Sequence, residues 1–289
     1  MKGKIHIYSL DVGLKGPVIC YILIALIISV YSGCRPDHEE PVAVQTGKII
    51  FRFEHHVNGA PLMKDTMAYT NAAGNHYLVT EVQYFISDVT LHRHDGEDYV
   101  IHQWKDIWYV DDDIPSTMQW DVFDDIPNGD YDSVSFTFGI PAAKNISLMY
   151  VNPPERDMFW PDVLGGGYHY LKLNGKWLND TMIQNRPFEF HLGIGQIYAH
   201  DSIYVPDIIG FVHNDFEVVL PASSFTVKSD TIVDPVIMNI ENWFQHPYVF
   251  DFASYPENIM QRQDAMHIAC MNGKEDVFTT GEIEKKSGE

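Results

Sequence analysis

From Lys48 onward the chain alternates apolar and polar positions in short runs broken by glycine, proline and asparagine. Ile49–Val57 (IIFRFEHHV) puts Phe51, Phe53, His55 and Val57 on one face of a strand and His56 on the other. A long strand follows, in which Val89 and Leu91 point inward and His92 and His94 outward. Asp95-Gly96 turns it into a return strand. After Asn128-Gly129, the run YDSVSFTFGI aligns Val134, Phe136 and Phe138. Pro187–Gly193 (PFEFHLG) places Phe188, Phe190 and Leu192 on one face and Glu189 and His191 on the other. Glu189 is thereby a candidate to orient the His191 ring. Tyr204-Val205 and Phe216–Leu220 read as further strands, limited by Pro206 and Pro221 to edges or ends. Strand signals recurring about every ten residues predict an all-β fold, an antiparallel β-sandwich. Residues 257–271 lose this alternation and take a helical spacing, with Pro256 suited to the first turn and Gly273 to the C-terminal cap. One C-terminal helix is expected there.

Met158–Gly175 (MFWPDVLGGGYHYLKLNG) is the densest stretch. Gly165-Gly166-Gly167 predicts a tight reversal. Beyond it, alternation assigns His169, Leu171 and Leu173 to one face and Tyr168, Tyr170 and Lys172 to the other, with a hairpin turn at Asn174-Gly175. An aromatic loop feeding a strand is where a site can be built; a packed sandwich corner is the plainer reading.

The first 33 residues differ in kind. Lys2, Lys4 and Lys15 precede an uncharged run, Gly16–Gly33, that reads as a secretory signal. It ends in Ser32-Gly33-Cys34, similar to a lipobox, so that Cys34 is the expected lipidation site. An uncleaved anchor helix is the alternative, since the run is just long enough to span a bilayer. Residues 34–47 form an acidic, proline-broken tether, and residues 48–289 a single domain. The formal net charge of −21 argues against nucleic acid and against anionic membrane surfaces as partners. With Cys34 acylated, Cys270 has no partner for an internal disulfide, so stability must come from the apolar core.

Among titratable residues, His55 is notable because it sits between Phe53 and Val57 on an apolar face. A buried imidazole needs partners for both nitrogens; a satisfied core histidine and a metal ligand both meet that need. His92 and His94 share a strand face at i, i+2 and are either a metal clamp or exposed polar residues beside a hairpin tip. The acidic runs Asp111–Asp113 and Asp124-Asp125 read as solvated turns, with calcium as the alternative. No Gly-x-Ser-x-Gly, His-Glu-x-x-His or glycine-rich phosphate loop occurs, so the chain is not expected to be an enzyme.

Four segments in order carry a family resemblance. They are FRFEHHVNG with the block YTNAAGNHYLVTEVQYFISDVTLHRHDG, then IPNGDYDSVSFTFGIPAAKN, then MFWPDVLGGGYHYLKLNG with FEFHLG, and last the tail with His246-Pro247 and MHIACMNGKEDVF. Together they resemble the MbnP-like family of bacterial periplasmic and outer-membrane copper-binding proteins. The resemblance implies a β-sandwich that binds copper through histidines and a tryptophan oxidised to kynurenine by a partner dihaem peroxidase. By position, Trp160 is the expected modified residue, His55 and His191 the expected imidazole ligands, and His246 a further candidate. The implied setting is a lipid-anchored protein of the periplasm or cell surface, working in copper uptake, storage or delivery, with an outer-membrane transporter as a further partner. The competing reading is a recognition module for glycans or proteins, in which Trp104, Trp108, Trp120 and Trp177 supply a stacking platform.

Overall fold

The computed structural model describes residues 44–286 except 180, 182, 183 and 202. The signal sequence, Cys34 and most of the tether therefore lie outside the described residues. The strands that frame the domain are β1 (Thr46–Val57), β2 (His76–Arg93), β3 (Ile107–Asp111), β4 (Gly129–Phe138), β5 (Leu171–Leu178), β6 (Arg186–Leu192), β7 (Phe216–Leu220), β8 (Thr231–Asn239) and β9 (Phe278–Thr280). A single α-helix, α1 (Gln263–Gly273), is found among the described residues.

One sheet runs β9-β8-β1, with the short strand Ala60–Pro61 at the β1 edge; the other runs β6-β5-β2-β4-β7, with β3 added beside β2. The fold is an all-β sandwich, as the alternation predicts. Among the described residues its ladders are antiparallel with one exception: β1 and β8 pair in parallel, from Lys48 opposite Thr231 to His56 opposite Asn239. Parallel neighbours need a long crossover, and the whole second sheet is inserted between these two strands in sequence. Alternation within a strand carries no information on the direction of its neighbour.

Both faces of the second sheet are covered. Its inner face meets the first sheet through aromatic rings: Tyr84 lies between Phe53 of β1, Phe138 of β4 and Phe278 of β9, at centroid distances of 6.4, 5.9 and 6.1 Å. Its outer face carries Phe85, which is stacked by Tyr150 at 5.7 Å and met edge-on by Tyr168. Both tyrosines belong to the long connection between β4 and β5. That connection is pinned by side chains of its own: Asn145 Oδ1 accepts from the Tyr168 amide at 2.9 Å, and Ser147 Oγ accepts from the Gly167 amide at 2.8 Å. Gly165, Gly166 and Gly167 have φ of 118°, 72° and 80°, so the reversal expected at the triple glycine is present.

Three local expectations are corrected. Asn174-Gly175 is not a hairpin turn; it is a bulge inside β5, where the register against β2 shifts. Glycine is needed there for close approach, since a Cβ on Gly175 would stand 2.1 Å from the Leu78 carbonyl oxygen and 2.5 Å from the Phe188 ring. The helix begins at Gln263, not near Pro256, because the Glu257 carbonyl accepts from the Glu189 amide and Asn258 bridges Glu189, which hold this stretch extended beside β6. Val205 opens a 3-10 turn, and the strand there starts only at Ile208.

Candidate metal centre

The outer face of the second sheet gathers two imidazoles and an indole. His191 projects from β6, on the side opposite Phe188, Phe190 and Leu192. His169 arrives from the loop before β5, and Trp160 from the turn ahead of the triple glycine. The His169 ring stands edge to face with Trp160 at 4.7 Å and with His191 at 5.1 Å between centroids. All three are buried: Trp160 is fully enclosed, and His169 and His191 keep 5% and 8% of their surface.

The hydrogen bonds of the pair settle its tautomers. Asn174 Nδ2 donates to the Glu81 carboxylate, which also accepts from Gln83 Nε2 at 2.8 Å. With its nitrogen committed to Glu81, Asn174 turns its oxygen to His191, so His191 Nε2 carries the proton and donates at 2.7 Å. The lone pair then sits on Nδ1, a buried atom without a protein partner. His169 Nδ1 lies 2.9 Å from the Met158 carbonyl oxygen, which can only accept, so Nδ1 is the N–H and Nε2 holds the lone pair. Burial keeps both rings neutral, lowering His169 to about 4 and His191 to about 2; the Lys172 ammonium lowers each further. Two neutral imidazoles, each with one N–H held by an oxygen, and His191 with a buried Nδ1 lone pair left over, have the donor arrangement of metal-ligating histidines.

Trp160 fits the pair as a neighbour and not, in its native form, as a ligand. Its Nε1–H donates to the Leu164 carbonyl at 3.1 Å, and an indole has no further nitrogen lone pair to offer. Its six-membered ring lies against Gly193, where a Cβ would come within 2.6 Å of it.

The other sequence candidates lie elsewhere. His55 does face inward, but inward leads to the space between the sheets: it packs edge-on to Tyr84 at 5.7 Å, on the face of β2 opposite Phe85. Its Nε2 is buried without a protein partner, burial lowers it to about 3, and it lines a cavity of about 450 Å³ with Lys64 and Asp112. The second sheet thus separates His55 from His191. His246 is exposed in the turn after the 3-10 helix Ile240–Phe244 and makes no ring contact or hydrogen bond to the cluster. Glu189 is exposed, and the orienting role anticipated for it belongs to Asn174. His92 and His94 are not a clamp: His92 is held by Asp98 and Ser135, His94 by Asp132. The carboxylates of Asp111, Asp112 and Asp113 lie within 4.8 Å of one another. Lys64 already serves this group as counter-ion, at 3.1 Å from Asp112 and 2.5 Å from Asp113.

Alternation along the sequence misses His169 as a member of the cluster. The period of two holds only inside a ladder, and the backbone bends at Tyr170 before β5 begins. The triple glycine immediately upstream is the signal that the phase of residues 168–170 cannot be carried back from Leu171.

Residues 46–261 match the family model described as MbnP. Among solved structures, MbnP from Methylosinus trichosporium matches at 16% identity and a TM-score of 0.46, over 69% of this chain and 78% of that one. No curated protein matches the chain.

Proposed function

The chain belongs to the MbnP family, and from that premise we propose that it binds one copper ion through His169 Nε2 and His191 Nδ1, beside Trp160. The observation that carries this reading is the pair of buried neutral imidazoles, each with one nitrogen pinned by an oxygen, with the His191 Nδ1 lone pair buried and without a protein partner. Imidazole nitrogen suits copper, which stands at the top of the divalent affinity order at nitrogen donors. Copper here is cargo, and the chain's own work is to hold the rings, exclude water and keep protons off the two lone pairs. Oxidation of Trp160 to kynurenine by a dihaem peroxidase would add an aryl amine nitrogen at the same spot, which the native indole lacks.

Lys172 shapes the choice of ion. Its Nζ is tied to the Asp157 carbonyl at 2.6 Å, and its charge reaches both imidazoles. Repulsion from one ammonium is about twice as large for a divalent as for a monovalent ion at equal distance, so Lys172 disfavours copper(II) more than copper(I), while the Glu81 carboxylate behind Asn174 acts in the opposite sense.

The wider role follows the same premise: a lipoprotein anchored through Cys34 in the periplasm or at the cell surface, delivering or storing copper without catalysis, with an outer-membrane transporter as partner. Titration of the mature domain with copper(I) under a competing chelator tests the site, and one equivalent per chain is expected. Absence of stoichiometric binding, both to the protein purified from its native host and to the recombinant form, overturns the reading. Intact mass of the native protein reports the lipid on Cys34 and the oxidation of Trp160.

A further inference from the structure

Away from the histidines, Trp104 is 84% exposed on a loop between the Tyr99–Val100 strand and β3, and its φ is 68°. A tryptophan in the left-handed region is rare, and such residues persist only where the surroundings impose them. Here the Lys105 amide donates to the Gln103 carbonyl at 2.8 Å, a three-residue turn centred on Trp104, and the fully buried Asp124 carboxylate anchors the residues before it by accepting from the backbone amides of His102 and Gln103, at 3.2 and 3.0 Å, and from the Tyr99 hydroxyl at 3.0 Å. The loop is thus organised from below by a buried charge, and its result is an indole held out in water.

That indole is one wall of a groove of about 390 Å³. Phe123, 64% exposed, stands beside it at 6.1 Å and 36°. The floor is Trp108 stacked on Trp120 at 5.2 Å and 7°. Three of the four tryptophans singled out in the sequence therefore meet; Trp177 is buried against Phe252 instead. Around the rings stand an amide, a hydroxyl and a carboxylate, from Gln103, Ser116 and Asp121.

We propose that this groove binds a neutral glycan, with one pyranose ring laid on Trp104 and Phe123 and its hydroxyls meeting the polar rim. A pyranose offers the two surfaces the groove requires, an apolar C–H face for the aromatic rings and an edge of hydroxyls that both donate and accept. A purely apolar partner would strand the rim groups. An anionic sugar would meet no net positive charge, because the lining ammonium of Lys105, over Trp108 at 4.7 Å, shares the groove with the Asp121 carboxylate and Lys48 is paired with Asp125 at 2.8 Å, in a chain of net charge −21. The presentation of Trp104 on a preset loop lowers the ordering cost of binding. This proposal is independent of the copper site, which lies on other elements.

The test is isothermal titration of the mature chain with cellohexaose, xylohexaose, mannohexaose and chitohexaose, with hexagalacturonate as the anionic comparison and tryptophan fluorescence as a second readout. At least one neutral hexasaccharide is expected to bind at millimolar or lower concentration and to perturb the emission. Trp104→Ala, an exposed substitution that leaves the core intact, is expected to weaken that binding by about tenfold, in line with the loss of one aromatic contact. Phe123→Ala checks the same platform from its other ring. No binding by any neutral hexasaccharide, binding that survives Trp104→Ala and Phe123→Ala unchanged, or tighter binding of hexagalacturonate would each overturn the proposal.

Discussion

His169 and His191 stand edge to face with 5.1 Å between ring centroids, and each gives its N–H to a different oxygen, Met158 O for one and Asn174 Oδ1 for the other. Two buried imidazoles held this way are both neutral, and the Nδ1 lone pair of His191 is without a protein partner.

Removal of either ring is the direct test. His169→Ala and His191→Ala are each expected to lower copper(I) affinity by more than about 100-fold, beyond the range seen for residues that only support a ligand. His55→Ala and His246→Ala are expected to leave it unchanged, because the second sheet separates one from the cluster and the other is exposed in a distant turn. Competition titrations with a chromophoric copper(I) chelator measure all four. Loss of binding in His55→Ala with binding retained in His169→Ala would contradict the geometry.

Asn174 acts through His191 as a positioning residue. Asn174→Leu removes the acceptor that keeps the proton on Nε2 and strands the Glu81 carboxylate on one side. Copper affinity is expected to fall about 10- to 100-fold. Nitrogen chemical shifts of the imidazole are expected to change from a pure Nε2–H tautomer to a mixture, a change that a purely structural role for Asn174 would not produce.

Acid should destabilise the apo protein over a defined window. His169, His191 and His55 are lowered by burial from 6.5 to about 4, 2 and 3. As pH falls below 6.5, the unfolded chain takes up protons on these rings and the native chain does not, so stability is lost. Asp234 has the opposite sign: burial raises it to about 6, so the native state takes up its proton first and gains stability as pH falls through that value. Asp112 and Asp215 are raised by burial in the same sense as Asp234, and the three rings, which lose stability throughout, are expected to set a net loss as pH falls from 6 to 5. Urea midpoints at half-unit intervals measure it, and His191→Gln should flatten the slope by about one ring's share.

Gly193→Ala tests the seating of Trp160. The added Cβ would lie 2.6 Å from the indole, whose other surroundings are closed. Overpacking of this kind costs about 1–3 kcal/mol. A lower melting temperature with a shifted Trp160 emission is expected, together with weaker copper binding as the indole presses on His169.

Lys172→Met removes the ammonium nearest the two rings. Affinity for copper(II) is expected to rise by about twice as much, on a logarithmic scale, as affinity for copper(I). Parallel titrations of the two oxidation states in wild type and variant measure the ratio; equal gains would show that Lys172 does not act through its charge.

Local sequence determined the strands themselves and the family. In β1, β4 and β6 large apolar residues recur at every second position over Phe51–Phe53, Val134–Phe138 and Phe188–Leu192, and each lies in the structure with the predicted face buried, because side-chain direction in a ladder is a local property of the backbone. Ordered short motifs along 46–261 were likewise enough for membership in the MbnP family. Tertiary structure alone decided what a buried face meant. The second sheet is covered on both sides, so an inward His55 reached the aromatic layer between the sheets, whereas His191, on the nominally outer face, came to lie under the loop that carries Trp160 and His169. The partners that make the cluster chemical, Asn174 from a bulge and Met158 O from a turn, are brought in by register and by loop closure, which depend on contacts between residues distant in the chain.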